Sequence, residues 1–136
     1  MGEKTIAWLI YTCLIGLIPV ISRMFIWSVS KSGIEPVAVS DLVAFGLVLH
    51  ASNIHMINSG VKTESRLKIV HNGFSVLFLV IYSIILMATI ANINSIDYSS
   101  LKSSTLILCI ISFVLSFSIF YERNTEAKSL VESGIA

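Results

Sequence analysis

Long apolar stretches without a charged residue alternate with short polar segments along the chain. Four such stretches cover residues 5–22, 42–61, 69–96 and 103–121, with lengths of 18, 20, 28 and 19 residues. A transmembrane helix needs about 20 mostly apolar residues, because the hydrocarbon layer is about 30 Å thick and each residue rises about 1.5 Å. The pattern therefore predicts four membrane-spanning helices.

The segments between these stretches contain residues that are typical of turns. Gly33 and Pro36 follow the first stretch, Gly60 follows the second, and a run rich in Asn and Ser follows the third. The predicted helices cover about residues 4–29, 36–57, 68–92 and 103–132. Because the connections are short, we expect an all-α integral membrane protein, a four-helix antiparallel bundle in up-down-up-down order. Residues 1–136 would form a single transmembrane domain.

The composition supports a membrane protein and excludes several other classes. Hydrophobic residues make up 55% of the chain and charged residues 12%, and the mean hydropathy is +0.88. A soluble domain usually carries about 25% charged residues. A soluble enzyme, a disordered tail and a disulfide scaffold are therefore excluded, and the net charge of +1 offers no basic surface for nucleic acid.

Basic residues lie mostly on one side of the predicted bundle. The N-terminal end, the second loop and the C-terminal tail share that side, and they contain Lys4, Lys62, Arg66, Lys68, Arg123 and Lys128. The opposite side contains Arg23, Lys31 and Lys102. Since Lys and Arg collect on the cytoplasmic side, we expect a multi-pass protein of the inner (plasma) membrane with both termini in the cytoplasm.

Small and polar residues recur at helical spacing on three of the four helices. Thr12 and Gly16 share a face of the first helix, and Ser112 and Ser116 share a face of the fourth. Lipid provides no hydrophobic drive for helix association, so close packing over small residues and hydrogen bonds between helices must supply it. We interpret these stripes as helix-packing seams, with a pore lining as the alternative.

The second helix combines several polar residues with apolar neighbours. Asp41 near its start is either a first-turn residue beside a Ser40 cap or a buried proton carrier, and Arg23 is placed to form an ion pair with it. His50 and Asn53 fall on another face. Because this helix carries polar groups on two sides, neither of these faces is stable in contact with lipid. We therefore expect it to be the most enclosed helix or to lie between protomers.

His50 is the deepest ionisable side chain of the chain. It lies nine residues after Asp41, about 13 Å farther along a helix and near the middle of the membrane. An unpaired imidazole is costly there. His50 is therefore either a neutral histidine hydrogen-bonded to Asn53, to a serine or to a carbonyl, or a functional residue of a polar pathway.

The chain lacks the motifs of common enzymes. Cys13 and Cys109 are far apart and do not form a C-x-x-C pair, and there is no H-E-x-x-H, P-loop, G-x-S-x-G or G-x-G-x-x-G motif. His50 and His55 are five residues apart, which places them on different faces. We therefore expect no enzymatic activity, no cofactor and no metal site.

These observations lead to two functional hypotheses. The first is a non-enzymatic membrane protein that self-assembles and anchors, senses for or scaffolds a cytosolic partner. Its candidate partner contacts are Lys62, Arg66, Lys68, Arg123 and Lys128. The alternative is an oligomeric ion channel or pore lined by the second or the fourth helix, with His50 and Asn53 in the lining.

In length and number of spans the chain resembles small four-span proteins of bacterial immunity and phage-defence systems, such as the colicin immunity proteins. This resemblance implies a membrane protein of defence that acts through contacts between helices. It covers the overall plan and no motif. It implies that the membrane protein of the first hypothesis acts in antiviral defence or in immunity to a toxin.

Overall fold

The computed structural model describes residues 3–31, 33–59, 66–91 and 95–132. Its four α-helices are α1 (Glu3–Val29), α2 (Val39–Ser59), α3 (Arg66–Ile90) and α4 (Tyr98–Glu132). Within these ranges there is no β-strand. Each helix contains a segment that is long and apolar enough to cross a membrane. The prediction of an all-helical protein with four candidate spans is therefore confirmed.

The second helix is the centre of the arrangement. α2 packs against each of the other three helices, whereas α1 and α3 do not contact each other within the described ranges. Among the four candidate spans, the span in α2 has the largest buried share, and those in α1 and α3 have the smallest. The sequence-based expectation that the second helix is the most enclosed is confirmed.

The core is small because most large apolar side chains face outward. Its buried apolar cluster joins three helices and consists of Val39, Leu42, Val43, Phe78, Tyr82 and Cys109. Many Ile, Leu, Val and Phe side chains of α1, α3 and α4 are exposed. Such outward apolar faces suit a lipid environment, in which the association of helices relies on close packing and hydrogen bonds.

Two glycines allow the helices to approach closely. A Cβ atom on Gly46 of α2 would overlap the aromatic ring of Tyr82 on α3. A Cβ atom on Gly16 of α1 would lie 2.8 Å from the Phe45 ring on α2. The aromatic rings therefore occupy the space that any larger residue would need.

The start of α4 differs from the prediction. The helix begins at Tyr98, five residues before the predicted start at Ser103. Asp97 caps it, since its carboxylate accepts hydrogen bonds from the Ser99 backbone N–H, at 3.1 Å, and from the Ser100 hydroxyl. The bond from Ser100, followed by that from Ser99, holds the pKa of Asp97 below its usual value.

The start of α2 is also displaced from the prediction. The sequence predicts Pro36 in the first helical turn, but the helix begins three residues later, at Val39. Ser40 therefore lies inside the helix and is not its cap. Asp41 takes over part of this role, because its Oδ2 atom accepts a hydrogen bond of 3.1 Å from the backbone N–H of Ala38.

Candidate functional site

Buried polar side chains line the surfaces along which the helices meet. They are Thr12, Asp41, His50, Asn53, Ser75, Thr105, Ser112 and Ser116, each at most 6% exposed. Three of them come from α2 and three from α4. Because lipid offers no hydrogen bonds, such groups need protein partners, and the structure supplies most of them.

His50 lies at the meeting point of three helices. Its Nε2 atom is 2.9 Å from the hydroxyl oxygen of Ser112 on α4. Its ring stacks on the Phe78 ring of α3, with centroids 4.7 Å apart and an interplanar angle of 26°. Only 1% of the residue is exposed. Of the neutral-histidine partners considered from the sequence, the structure selects a serine.

Tyr82 extends this network from α3. Its hydroxyl is 2.9 Å from the Ser112 hydroxyl and donates to Cys109 Sγ at 3.5 Å. The Cys109 thiol donates to the Leu42 carbonyl of α2 at 3.1 Å. One connected set of hydrogen bonds thus joins α2, α3 and α4.

Asn53 makes a second link between α2 and α4. Its side-chain amide nitrogen donates to the Ser116 hydroxyl at 2.7 Å, and both residues are at most 1% exposed. Two polar atoms of the site have no hydrogen-bond partner, namely His50 Nδ1 and Asn53 Oδ1. The amide oxygen of Asn72 on α3 is a third buried atom without a hydrogen-bond partner.

The interface of α1 with α2 contains the remaining predicted residues. The Thr12 and Ser52 hydroxyls are 3.2 Å apart, and Gly16 is buried against Phe45. Arg23 forms an ion pair with Asp41, as the sequence suggested. The Asp41 side chain is 9% exposed and that of Arg23 is 34% exposed.

The predicted partner contacts are described only in part. Lys68 is half-buried at the start of α3. Lys62 lies outside the described residues. Arg66, Arg123 and Lys128 belong to helical backbone, and their side chains are outside the described part.

Sequence reasoning did not select Tyr82 and Cys109 as site residues, although both join the buried network. Tyr82 lies on the polar face of α3 together with Ser75, and Cys109 lies on the stripe of Ser112 and Ser116. Their helical spacing was the available signal. The sequence does not give the rotation of each helix about its axis, and this rotation determines which faces contact His50.

Around His50, the site consists of side-chain hydrogen bonds that join α2, α3 and α4. In the described part of the chain, no group of three or more His, Cys, Asp or Glu residues is arranged to hold a metal ion. Comparisons with family models, curated proteins and solved structures yielded no match to this chain.

Proposed function

We propose that this chain is a non-enzymatic protein of the inner membrane that self-assembles and anchors a cytosolic partner. The observation that carries this proposal is the length of α4. The helix runs from Tyr98 to Glu132, whereas its candidate membrane span ends at Tyr121. Eleven helical residues, 122–132, continue past the span over about 16 Å.

The residue types in this extension suit contact with a soluble protein. Its sequence contains two basic and three acidic residues together with Ala127, Leu130 and Val131. Such a mixture is typical of a helix that leaves the membrane and offers both polar and apolar groups to a partner. In the proposed topology it shares the cytoplasmic side with the basic second loop.

The order of contacts along the helices supports an up-down-up-down topology. Thr12 meets Ser52 and Arg23 meets Asp41, so a later position in α1 meets an earlier position in α2. Ser112 and Ser116 of α4 meet His50 and Asn53 in the same order along both helices. Such contacts fit helices that alternate in direction, and the distribution of Lys and Arg favours cytoplasmic termini.

A polar residue on the open face of α2 supports self-assembly. His55 is exposed although it lies within the candidate span Val39–Asn58, and the nearby Ala51 is exposed as well. An imidazole inside a span is more stable against protein than against lipid, and a small neighbour allows close approach. A second copy of the chain is the partner proposed for this face.

The buried polar residues favour an anchor over the alternative of a pore. His50 and Asn53 bond to serines of the same chain, and all four residues are at most 1% exposed. A pore lining would require these side chains to face a common water-filled space. Planar-bilayer recordings of the wild type and of His50→Ala separate the two functions, because an anchor gives no current in either case.

Site-specific photo-crosslinking tests the proposed partner. A photoreactive residue at the exposed Thr125, in the extension, is expected to capture a soluble protein, whereas one at the exposed Ser99, at the opposite end of α4, is the matched control. The mass of the purified complex in mild detergent tests self-assembly. A monomer without any soluble crosslinked protein would overturn the proposal.

A further inference from the structure

Two neighbouring buried residues of α2 each carry a polar atom that has no hydrogen-bond partner in the protein. His50 Nδ1 and Asn53 Oδ1 belong to residues that are 1% and 0% exposed, and neither atom has a hydrogen-bond partner in the protein. The two residues are three positions apart in α2, so their Cβ atoms are about 5–6 Å apart. A buried polar atom without a partner is costly, and two neighbouring ones require a common explanation.

The hydrogen bonds around the pair define what each atom offers. Asn53 already donates through its amide nitrogen to Ser116, which leaves Oδ1 as an acceptor. The role of His50 Nδ1 depends on the bond of Nε2 with Ser112. If Ser112 donates to Nε2, Nδ1 carries the proton and is a donor; if Nε2 donates, Nδ1 is an acceptor.

We infer that His50 and Asn53 together bind one buried water molecule, which bridges Nδ1 and Oδ1. A water molecule has two donors and two acceptor sites, so it satisfies both atoms in either tautomer of His50. It accepts from Nδ1–H and donates to Oδ1 in the first case, and it donates to both atoms in the second. No other small neutral molecule is needed to complete these bonds.

This bound water would connect the two hydrogen-bonded groups of the core. One group runs from Cys109 through Tyr82 and Ser112 to His50, and the other joins Asn53 to Ser116. Ser116 comes seven residues after Cys109, which corresponds to about 10 Å along α4. The water therefore completes a continuous chain of polar groups inside the membrane-spanning part. This inference does not depend on the cytosolic partner of the proposed function.

Nuclear magnetic resonance of the full chain in detergent micelles tests this inference. We expect cross-relaxation between water and the carbon-bound ring protons of His50, and none between water and the methyl groups of the fully buried Val43. The methyl group of Ala91, which is exposed just outside the candidate span of α3, serves as the positive control. Absence of the His50 signal in the wild type would overturn the inference without the use of any variant.

A matched pair of variants tests the role of Asn53. In Asn53→Leu the His50 signal is expected to be lost, whereas in Asn58→Leu, which changes an exposed asparagine of the same helix, it is expected to persist. Asn53→Val, which also removes the acceptor and fills most of the space, replaces the leucine variant if the latter does not fold. A signal of unchanged strength in the folded Asn53 variant would show that Asn53 does not hold the water.

Discussion

Asp41 of α2 accepts hydrogen bonds through one oxygen from two sources, the guanidinium of Arg23 on α1 and the backbone N–H of Ala38. The carboxylate therefore fixes the start of α2 and ties it to α1 at the same time. A negative charge in the first helical turn is further stabilised by the helix dipole. This end of the assembly depends on a charge that is almost fully enclosed.

Removal of either partner of this ion pair is expected to destabilise the fold. Asp41→Ala and Arg23→Ala should each lower the free energy of unfolding by about 1–3 kcal/mol, because each leaves a polar group without its partner. The double variant should cost less than the sum of the two single variants. Thermal unfolding in detergent measures these differences.

Lys102→Ala is the control for this prediction. Lys102 pairs with Glu35 at 2.9 Å, but the two side chains are 33% and 54% exposed. Exposed ion pairs contribute about 0–1 kcal/mol. A loss from Lys102→Ala as large as that from Arg23→Ala would contradict the importance assigned to the enclosed Asp41.

The close approach of α2 and α3 yields a second prediction. Gly46→Ala places a methyl group in the space of the Tyr82 ring, and we expect a loss of about 1–3 kcal/mol in the free energy of unfolding. Gly73→Ala on α3 is the matched control, because nothing lies within 4 Å of the added atom. That variant should gain up to about 1 kcal/mol from helix propensity.

A second substitution separates overlap from other effects at Gly46. In a Tyr82→Ala background the ring is absent, so Gly46→Ala should cost clearly less than in the wild type. Tyr82→Phe retains the ring and should give no such relief. Equal costs of Gly46→Ala in all three backgrounds would show that the ring is not the obstacle.

The spans could be predicted because their signal is local. A run of about 20 apolar residues is required wherever a helix crosses lipid, and each of the four runs overlaps one candidate span of the structure. The ends of the helices are less predictable, because a charged residue limits an apolar run without having to end the helix. Lys102 lies inside α4, where Glu35 pairs with it, and the true start is set by the Asp97 cap five residues before the predicted one.

The buried polar faces could be predicted in part. Helical spacing identified the stripe of Ser112 and Ser116, and both residues are buried. The partners within the site were not available from spacing. That His50 bonds to Ser112 while Asn53 bonds to Ser116 depends on the rotation and relative depth of α2 and α4, which only the packed helices define.

The cap of α4 yields a prediction about pH. The pKa of Asp97 in the folded chain lies below its usual 3.8, chiefly because the Ser100 hydroxyl donates to the carboxylate. The charged form therefore adds stability above about pH 3.8, and this contribution disappears as the pH falls through the folded pKa. Asp97→Asn, which keeps an acceptor for Ser99, should be less stable than the wild type at pH 7.

Melting temperatures of the two proteins across the acid range test this sign. The difference between wild type and Asp97→Asn should be constant above about pH 5 and should narrow towards zero as the pH falls below 3.8. Other carboxyl groups titrate in both proteins and cancel in the difference. A difference that widens in acid would contradict the assigned direction of the pKa.

The two serines of the α2–α4 interface should differ in importance. Ser112 is hydrogen-bonded to His50 and Tyr82, whereas Ser116 is hydrogen-bonded to Asn53 alone among these residues. A hydrogen bond between helices in a membrane contributes about 0.6 kcal/mol on average. Ser116→Ala should therefore cost about that amount, and Ser112→Ala about twice as much, because two buried polar groups lose a partner.

Ser118→Ala, at an exposed position of α4, is the control and should change the free energy of unfolding by less than about 0.5 kcal/mol.

Tyr82 retains the Cys109 thiol as a weak acceptor at 3.5 Å, so part of the cost of Ser112→Ala depends on that contact. Adding Cys109→Ala to Ser112→Ala should then cost more than Cys109→Ala costs alone in the wild type. Strict additivity would mean that the contact between Tyr82 and Cys109 does not compensate for the loss of Ser112.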